Sequence, residues 1–329
     1  MDSKYAAAHV SPNGPGDARP TALQIIKDEA LEGKLSDKVI FITGCSSGIG
    51  IEAARALATT GATLYLTARD LDKARSALGE FAERSQVHLL ELDLNSLSSV
   101  RKCAAEFLSK SSKLNILINN AGVMIPPEGR TADGFETQFG INHLAHFLLT
   151  QLLKDTLLAS ATPEMCSRVI MVSSSAHRAS EVQFDDYNFE GGYDAFKAYG
   201  QSKTAMIWTA NEIDRRYGSR GLHAYSLHPG SISSGLQKYA TDELRKQWST
   251  IPGLEASKKS PEQGAATTIW AATAGVLEGR GGIFLEGCQI IGPLSSDAGL
   301  LEAGYAPWVY DKEKAARLYE FSKGLVGVR

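Results

Sequence analysis

Val39-Ile40-Phe41-Ile42-Thr43-Gly44-Cys45-Ser46-Ser47-Gly48-Ile49-Gly50 is the stretch on which the fold turns. Val39–Thr43 is a short, wholly apolar or β-branched run, the pattern of a strand buried on both faces. A helical pattern starts near Ile49 and continues to about Thr60. Between the two, Gly44, Gly48 and Gly50 permit a tight turn and let backbone approach a ligand closely. The helix N-terminus presents N–H groups without intrahelical partners and the positive end of its dipole, which suits a pyrophosphate. Three glycines alone are weak; their place between a strand and a helix predicts a dinucleotide site formed by Gly44, Ser46, Ser47, Gly48, Ile49 and Gly50.

Outward from this loop, strand and helix patterns alternate. Strands are expected at Thr63–Thr67, Val87–Leu92, Leu114–Ile118, Arg168–Val172, His223–Leu227 and Gly282–Leu285. Helices are expected near 71–84, 97–108, 133–158, 196–217 and 261–274. Such alternation requires a parallel sheet covered on both faces. The predicted architecture is one α/β domain, a doubly wound seven-stranded Rossmann-type sheet, spanning 21–329. Residues 1–20, with three prolines and no apolar run, read as a disordered arm. The segment from Ser234 to about residue 260 interrupts the alternation and reads as a substrate lid or as a surface excursion.

Composition excludes several classes. Hydrophobic residues make up 43% and charged residues 22%, enough for a substantial core. A net charge of −3 leaves no basic excess for nucleic acid or an anionic membrane. No segment approaches the ~20 apolar residues of a membrane span. Cys45, Cys103, Cys166 and Cys288 fit neither a CxxC pair nor zinc-ligand spacing, and no metal site is expected. Free thiols and the absence of a signal-peptide pattern point to the cytoplasm.

The second strand ends Thr67-Ala68-Arg69-Asp70. A guanidinium at Arg69 suits a ribose 2′-phosphate, hence NADP(H), and Ser46 and Thr67 can add hydroxyls. Asp70 can reach a ribose hydroxyl, as for NAD(H), or cap the next helix.

A tyrosine four residues before a lysine shares a helix face with it. A neighbouring ammonium lowers a phenol's pKa from about 10 and fits it for proton transfer. The pattern occurs four times: Tyr193/Lys197, Tyr199/Lys203, Tyr310/Lys314 and Tyr319/Lys323. Tyr310 and Tyr319 fall after the last expected strand, in a charged C-terminal helix. Tyr193 follows Gly191-Gly192. Tyr199 opens a long apolar helix between the fifth and sixth strands. Ser173-Ser174-Ser175 ends the fifth strand, and alternation sends neighbouring serines to opposite sides.

With TGxxxGxG at 43–50, Asp93-Leu94, Asn119-Asn120-Ala121-Gly122 and Tyr199-Gly200-Gln201-Ser202-Lys203 in order, the chain resembles the short-chain dehydrogenase/reductase superfamily over roughly 36–290. Asp133-Gly134-Phe135-Glu136-Thr137-Gln138-Phe139-Gly140, His146-Phe147-Leu148-Leu149-Thr150 and Val172-Ser173-Ser174-Ser175-Ala176-His177 resemble its retinol-dehydrogenase-like and WW-domain-oxidoreductase-like branch. Pro20–Ile26 and Gly287-Cys288-Gln289 look like fungal members. Neither a membrane anchor nor a WW module is recognisable, so a retinoid substrate is not implied.

The resemblance implies Tyr199 as proton donor or acceptor, Lys203 as its partner and ribose contact, and Asn142 as holder of a relay water. It favours Ser174 for the substrate oxygen, with Ser173 and Ser175 as alternatives. It implies adenine contacts at Asp93 and Leu94, and a cofactor contact at Asn120 beside Ala121 and Gly122. Asn119 is structural. Pro229, Gly230, Ile232 and Ser234 follow the sixth strand at the nicotinamide carboxamide; Ser234 stands where the family usually has threonine. His177 reads as structural, and His143 and His146 as packing or dimer-face residues. Tyr187, Tyr193 and Trp248 are expected to line the pocket, and a homodimer to form through helices near 133–158 and 196–217.

These residues predict an NADP(H)-dependent oxidoreductase acting on a small-molecule ketone, aldehyde or alcohol. The competing readings are an NADP(H)-binding redox sensor, against which intact Ser174, Tyr199 and Lys203 argue, and a double-bond reductase or epimerase on the same fold.

Overall fold

Alternation along the strands assigns each side chain to one of two cores. Ile40 and Ile42 face one side of the sheet, Val39 and Phe41 the other; Leu227 and Tyr225 lie opposite Ala224 and Leu222. The computed structural model describes residues 3–328. Its single sheet contains β1 (Val39–Thr43), β2 (Thr63–Ala68), β3 (Val87–Glu91), β4 (Ile116–Asn119), β5 (Ser167–Val172), β6 (Leu222–His228), β7 (Ile283–Glu286) and β8 (Gln289–Ile290). The order is β3-β2-β1-β4-β5-β6-β7-β8, with β1 to β7 parallel. Strand order reverses between β1 and β4, so a crevice opens at their carboxyl ends, where doubly wound sheets bind ligands. The eighth strand was not anticipated. It is two residues long, antiparallel to β7, and turns back through Gly287 and Cys288, both at positive φ.

The helices are α1 (Ala22–Asp28), α2 (Ile49–Ala58), α3 (Leu71–Leu78), α4 (Leu97–Lys110), α5 (Ala145–Ser160), α6 (Ala195–Tyr217), α7 (Asp242–Ser249), α8 (Leu254–Ser257), α9 (Pro261–Gly264), α10 (Ala266–Thr273) and α11 (Lys312–Val326). Residues of α1, α2, α3 and α10 build one core; α4, α5, α6 and α11 build the other. No described helix is long and apolar enough to cross a membrane.

The helix bounds differ from the sequence pattern at two places. The helix expected from Asp133 begins instead at Phe139, as a π-helical turn to Leu144 that continues into α5. Gly134, at φ +85°, closes a turn on the Thr131 carbonyl, and the Glu136 carboxylate caps the later start by accepting from Gln138 N and Phe139 N at 2.8 and 2.7 Å. The stretch 234–260 is largely ordered into a short 3-10 turn (Gly235–Tyr239), α7 and α8. α11 of the same chain packs against α5 and α6. Tyr319 packs edge-on against Phe147 at 5.1 Å, Ser322 Oγ lies 2.8 Å from His143 Nε2, and Glu320 pairs with Arg216 at 2.8 Å.

The N-terminal segment is a strap, not a disordered arm. Arg19 is 4% exposed. Its guanidinium donates to the carbonyls of Ser257 (2.7 Å), Lys258 (2.5 Å) and Gly14 (3.1 Å), and pairs with Asp17 at 2.8 Å. Gly14 N donates to Ala256 O, and Gln263 Nε2 donates to the Asp17 and Arg19 carbonyls. Sequence composition misses this because the strap is held by polar bonds to distant backbone rather than by apolar burial. Arg19→Ala leaves those carbonyls unpaired, which costs about 1–3 kcal/mol. We expect a correspondingly lower urea midpoint; a midpoint equal to wild type would show that the strap contributes nothing.

Candidate active site

β1 ends at the crevice, and Thr43 organises what surrounds it. Thr43 Oγ1 accepts from Asn120 N (2.9 Å) and Ala121 N (3.0 Å), and lies 2.9 Å from His146 Nε2. The Asn120 side-chain amide donates to the Thr43 carbonyl at 2.8 Å and reaches the Gly44 carbonyl at 3.4 Å. Asn120 therefore braces the glycine loop, and Asn119 is buried, bonding Thr150 Oγ1 at 3.1 Å. Space for this arrangement depends on two glycines. A Cβ on Gly50 would lie 2.3 Å from Gly44 O, and one on Gly44 would lie 2.8 Å from Ala121 Cβ. Gly48, at φ +62°, precedes α2 without a side-chain cap; Ile51 N donates to Gly48 O at 3.3 Å, and the start of α2 faces the loop as an anion would need. Ser46 is half-buried and Ser47 exposed on the loop. These features fit a nucleotide diphosphate.

At the end of β2, Arg69 is exposed, while Asp70 accepts from Lys73 N at 2.9 Å and caps α3. Asp93, past β3, accepts from Asn95 N at 3.0 Å, and Leu94 beside it is buried.

The π-helical turn places Asn142 over the loop after β4. Its Oδ1 accepts from Val123 N at 2.8 Å, and its Nδ2 donates to Val123 O (3.0 Å) and Ser202 Oγ (2.9 Å). The Asn142 side chain thus ties the loop after β4 to α6. Its backbone carbonyl accepts from His146 Nδ1 at 2.8 Å, which leaves Nε2 to accept from Thr43. A Cβ on Gly122 would lie 3.0 Å from Asn142 Oδ1 and 3.6 Å from Lys203 Nζ, so the Ala121-Gly122 backbone runs against both.

Tyr199 and Lys203 lie on the buried face of α6. Lys203 Nζ sits 5.5 Å from the Tyr199 ring centroid and donates to Val172 O at 3.0 Å. Of the three serines ending β5, Ser173 spends its hydroxyl on the Lys203 carbonyl at 2.9 Å, and Ser175 begins a 3-10 turn to Ala179. Burial pushes the Tyr199 phenol up to about 12, against a smaller lowering from the Ser174 hydroxyl. Burial pushes Lys203 down to about 7. The expected lowering of the tyrosine by the lysine is therefore absent here, because desolvation dominates both groups.

The other Tyr-x-x-x-Lys pairs serve the scaffold. Tyr193 donates to Pro126 O and accepts from Gln138 Nε2, each at 3.1 Å; Lys314 pairs with Glu181, and Lys323 with Glu320 at 3.2 Å. Tyr187 packs between Phe139 and Phe321, away from Tyr199. Trp248 does join Tyr199, in an apolar cluster with Met124, Ile125, Ala176, Ala240 and Leu244.

After β6, the Pro229-Gly230 turn rests on Lys259, which sequence reading missed. Lys259 is buried, its Nζ donates to Pro229 O at 3.2 Å, and its N–H donates to Ser231 O at 2.8 Å. Gly230 has φ +105°, and a Cβ there would meet the Lys259 side chain at 2.9 Å. Ile232 and Ile49 both press on Gly264, whose added Cβ would lie 2.6 and 2.9 Å from them. Ser234 comes within 3.7 Å of the Cβ direction of Gly48, so the lid begins against the glycine loop. Thr43 and His146 were also missed as site residues. Their signal, a polar residue in a buried strand or helix that must find a partner, names no partner from sequence.

Two outcomes check this geometry. Gly50→Ala drives a methyl into the Gly44 carbonyl, so the variant should lose dinucleotide binding by at least tenfold in fluorescence titration; wild-type affinity would refute the close approach. Lys203 has a folded-state pKa near 7 against an ordinary 10.5. The folded state thus binds fewer protons between those values, its buried charge opposes folding fully below about pH 7, and stability from this group rises as pH climbs toward 10.5. Lys203→Met should therefore raise the melting temperature more at pH 6 than at pH 9, while lowering turnover. Equal shifts at both pH values would contradict it.

Residues 38–245 match the short chain dehydrogenase family model. The chain is 52% identical over 321 residues to the short-chain dehydrogenase/reductase prx1 of Penicillium rubens, covering 98% of this chain and 94% of that protein. It is 38% identical to retinol dehydrogenase 12 of Mus musculus, over 90% and 88% of the two chains. A solved Mycobacterium paratuberculosis protein superposes with a TM-score of 0.68 at 30% identity, over 95% and 99% of the chains. The glycine loop at the strand-order reversal, the buried Tyr199-Lys203 pair and these matches lead to one conclusion: the chain belongs to the short-chain dehydrogenase/reductase family of oxidoreductases.

Proposed function

We propose that this protein transfers hydride between NADP(H) and the carbonyl or alcohol carbon of a medium-sized, largely apolar substrate. The observation that carries this reading is the buried Tyr199 beside Lys203, lying under an apolar roof. Met124 and Ile125 come from the loop after β4, and Ala240, Leu244 and Trp248 from the lid. Such a roof excludes water and favours a ketone or aldehyde flanked by hydrocarbon.

When bound, the nicotinamide supplies or accepts the hydride. In reduction, Ser174 Oγ–H donates to the substrate carbonyl oxygen and orients it, and the Tyr199 hydroxyl delivers the proton to that oxygen. A phenol near 12 stays protonated at neutral pH, which suits the reductive direction. Lys203 holds the ribose and, when charged, stabilises the phenolate left behind. The glycine loop with Ser46, Ser47 and Ile49 receives the diphosphate, Asp93 and Leu94 receive the adenine, and Pro229, Gly230, Ile232 and Ser234 flank the carboxamide. The preference for NADP(H) is supported at the end of β2: Asp70 is occupied as a helix cap, while Arg69 is exposed. The buried thiols of Cys45, Cys103 and Cys288 suit a reducing, cytoplasmic setting.

NADPH consumption against a panel of ketones, aldehydes and quinones tests the reading. Tyr199→Phe should lower kcat by about 10²–10⁴-fold. Turnover confined to small charged acids, or surviving in that variant, would count against it. Arg69→Ala should weaken NADPH binding by about 10–100-fold, the worth of charge-assisted phosphate bonds, and leave NADH within about twofold. An equal loss for both cofactors would remove the NADP(H) preference.

A further inference from the structure

His177 lies three residues after Ser174, on the 3-10 turn Ser175–Ala179 that Ser174 caps by accepting from Ala176 N at 3.1 Å. Its ring is buried against Phe284 of β7, with centroids 4.9 Å apart. Nε2 faces Ala306 N at 3.1 Å. A backbone amide only donates, so Nε2 must accept and the ring proton must sit on Nδ1. Nδ1–H then donates to the Ser174 carbonyl at 2.6 Å. The next residue, Arg178, donates to Gly304 O through Nε (3.1 Å) and Nη2 (2.6 Å), while the Glu286 carboxylate accepts from Gly304 N at 3.3 Å. Thr204, adjacent to Lys203, donates to the His177 carbonyl at 3.0 Å. Residues 304–306 are thus fastened to the serine turn. Earlier in the same segment, Leu301 lies 3.7 Å from the Cβ direction of Gly253 on the lid.

We infer that His177 is a positioning residue: by holding the Ser174 carbonyl it fixes the direction of the Ser174 hydroxyl toward Tyr199, and by accepting from Ala306 it joins that direction to the segment that touches the lid. The inference rests on the reading of Ser174 as the group that orients the substrate oxygen. The physical reason is that a short 3-10 turn has few hydrogen bonds of its own. The turn's own bond, from His177 N to Ser174 O at 3.1 Å, holds that carbonyl once, the imidazole holds it a second time, and proton transfer is sensitive to displacements of about 1 Å.

The two halves of the imidazole can be kept separately. His177→Asn retains a donor at the Nδ1 position for Ser174 O and loses the acceptor for Ala306. His177→Gln retains an acceptor at the Nε2 position and loses the donor. Ala306→Pro also cuts the second link; Ala306 already has φ −69° and ψ 152°, which proline adopts. With the carbonyl substrate found above and saturating NADPH, His177→Gln should lower kcat about tenfold or more. His177→Asn and Ala306→Pro should keep kcat within about threefold and raise the substrate KM. NADPH affinity should be unchanged in all three. Equal kcat losses in His177→Asn and His177→Gln, or a wild-type kcat in His177→Gln, would overturn the inference. If His177→Gln does not fold, a tenfold kcat loss in Ala306→Pro or His177→Asn overturns it equally. Ser174→Ala separates the two levels of failure. If that variant keeps its turnover, the role of Ser174 falls and the inference falls with it. If it is inactive while His177→Gln matches wild type, only the inference falls.

Discussion

Thr43 Oγ1 holds two backbone N–H groups of the loop after β4 and meets His146. One hydroxyl thereby pins neighbouring strands together at the point where strand order reverses, and the crevice keeps its shape only while that pin holds. Asn120 adds the second bond, from side chain to the Thr43 carbonyl. Gly44 and Gly50 are consequences of the pin, since drawing the two loops this close leaves no room for a Cβ at either place. His146 carries the same constraint to Asn142, and Asn142 carries it to Val123 and Ser202, beside Lys203. The glycine loop and α6 are therefore one hydrogen-bonded unit rather than two neighbours that happen to adjoin.

Burial sets the chemistry of that unit. Tyr199 and Lys203 are both held toward their neutral forms, so the pair stores electrostatic cost that scaffold packing must offset. The scaffold can offset it because the rest of α6 from Ala198 to Ala210 is buried under its neighbours, α11 among them.

The sequence made the glycine loop and the strand–helix alternation legible, because each depends on spacing within a few residues, and the place of Tyr199 and Lys203 on the helix between the fifth and sixth strands legible through chain order. Features that depend on distant partners were not legible. The strap at 14–19 contains proline, glycine and charge, the composition of disorder, and is ordered by carbonyls some 240 residues away. The late start of the helix before α5 depends on Glu136 turning inward to cap it, which no periodicity shows. Asn142 was legible as a site residue, but its partners were not, and they tie the loop after β4 to α6. Lys259 belongs to no motif in the sequence, and only the fold buries it beneath Pro229.

The strap also orders events in time. Arg19 leaves the ribosome long before Ser257, Lys258 and Gln263 exist, so its guanidinium has no native carbonyl to bind until nearly the whole sheet has been made. Closing a loop of that length carries a large entropic cost and comes late. The nascent chain thus passes through a stage in which the sheet can be formed while the rear hinge of the lid is still unfastened.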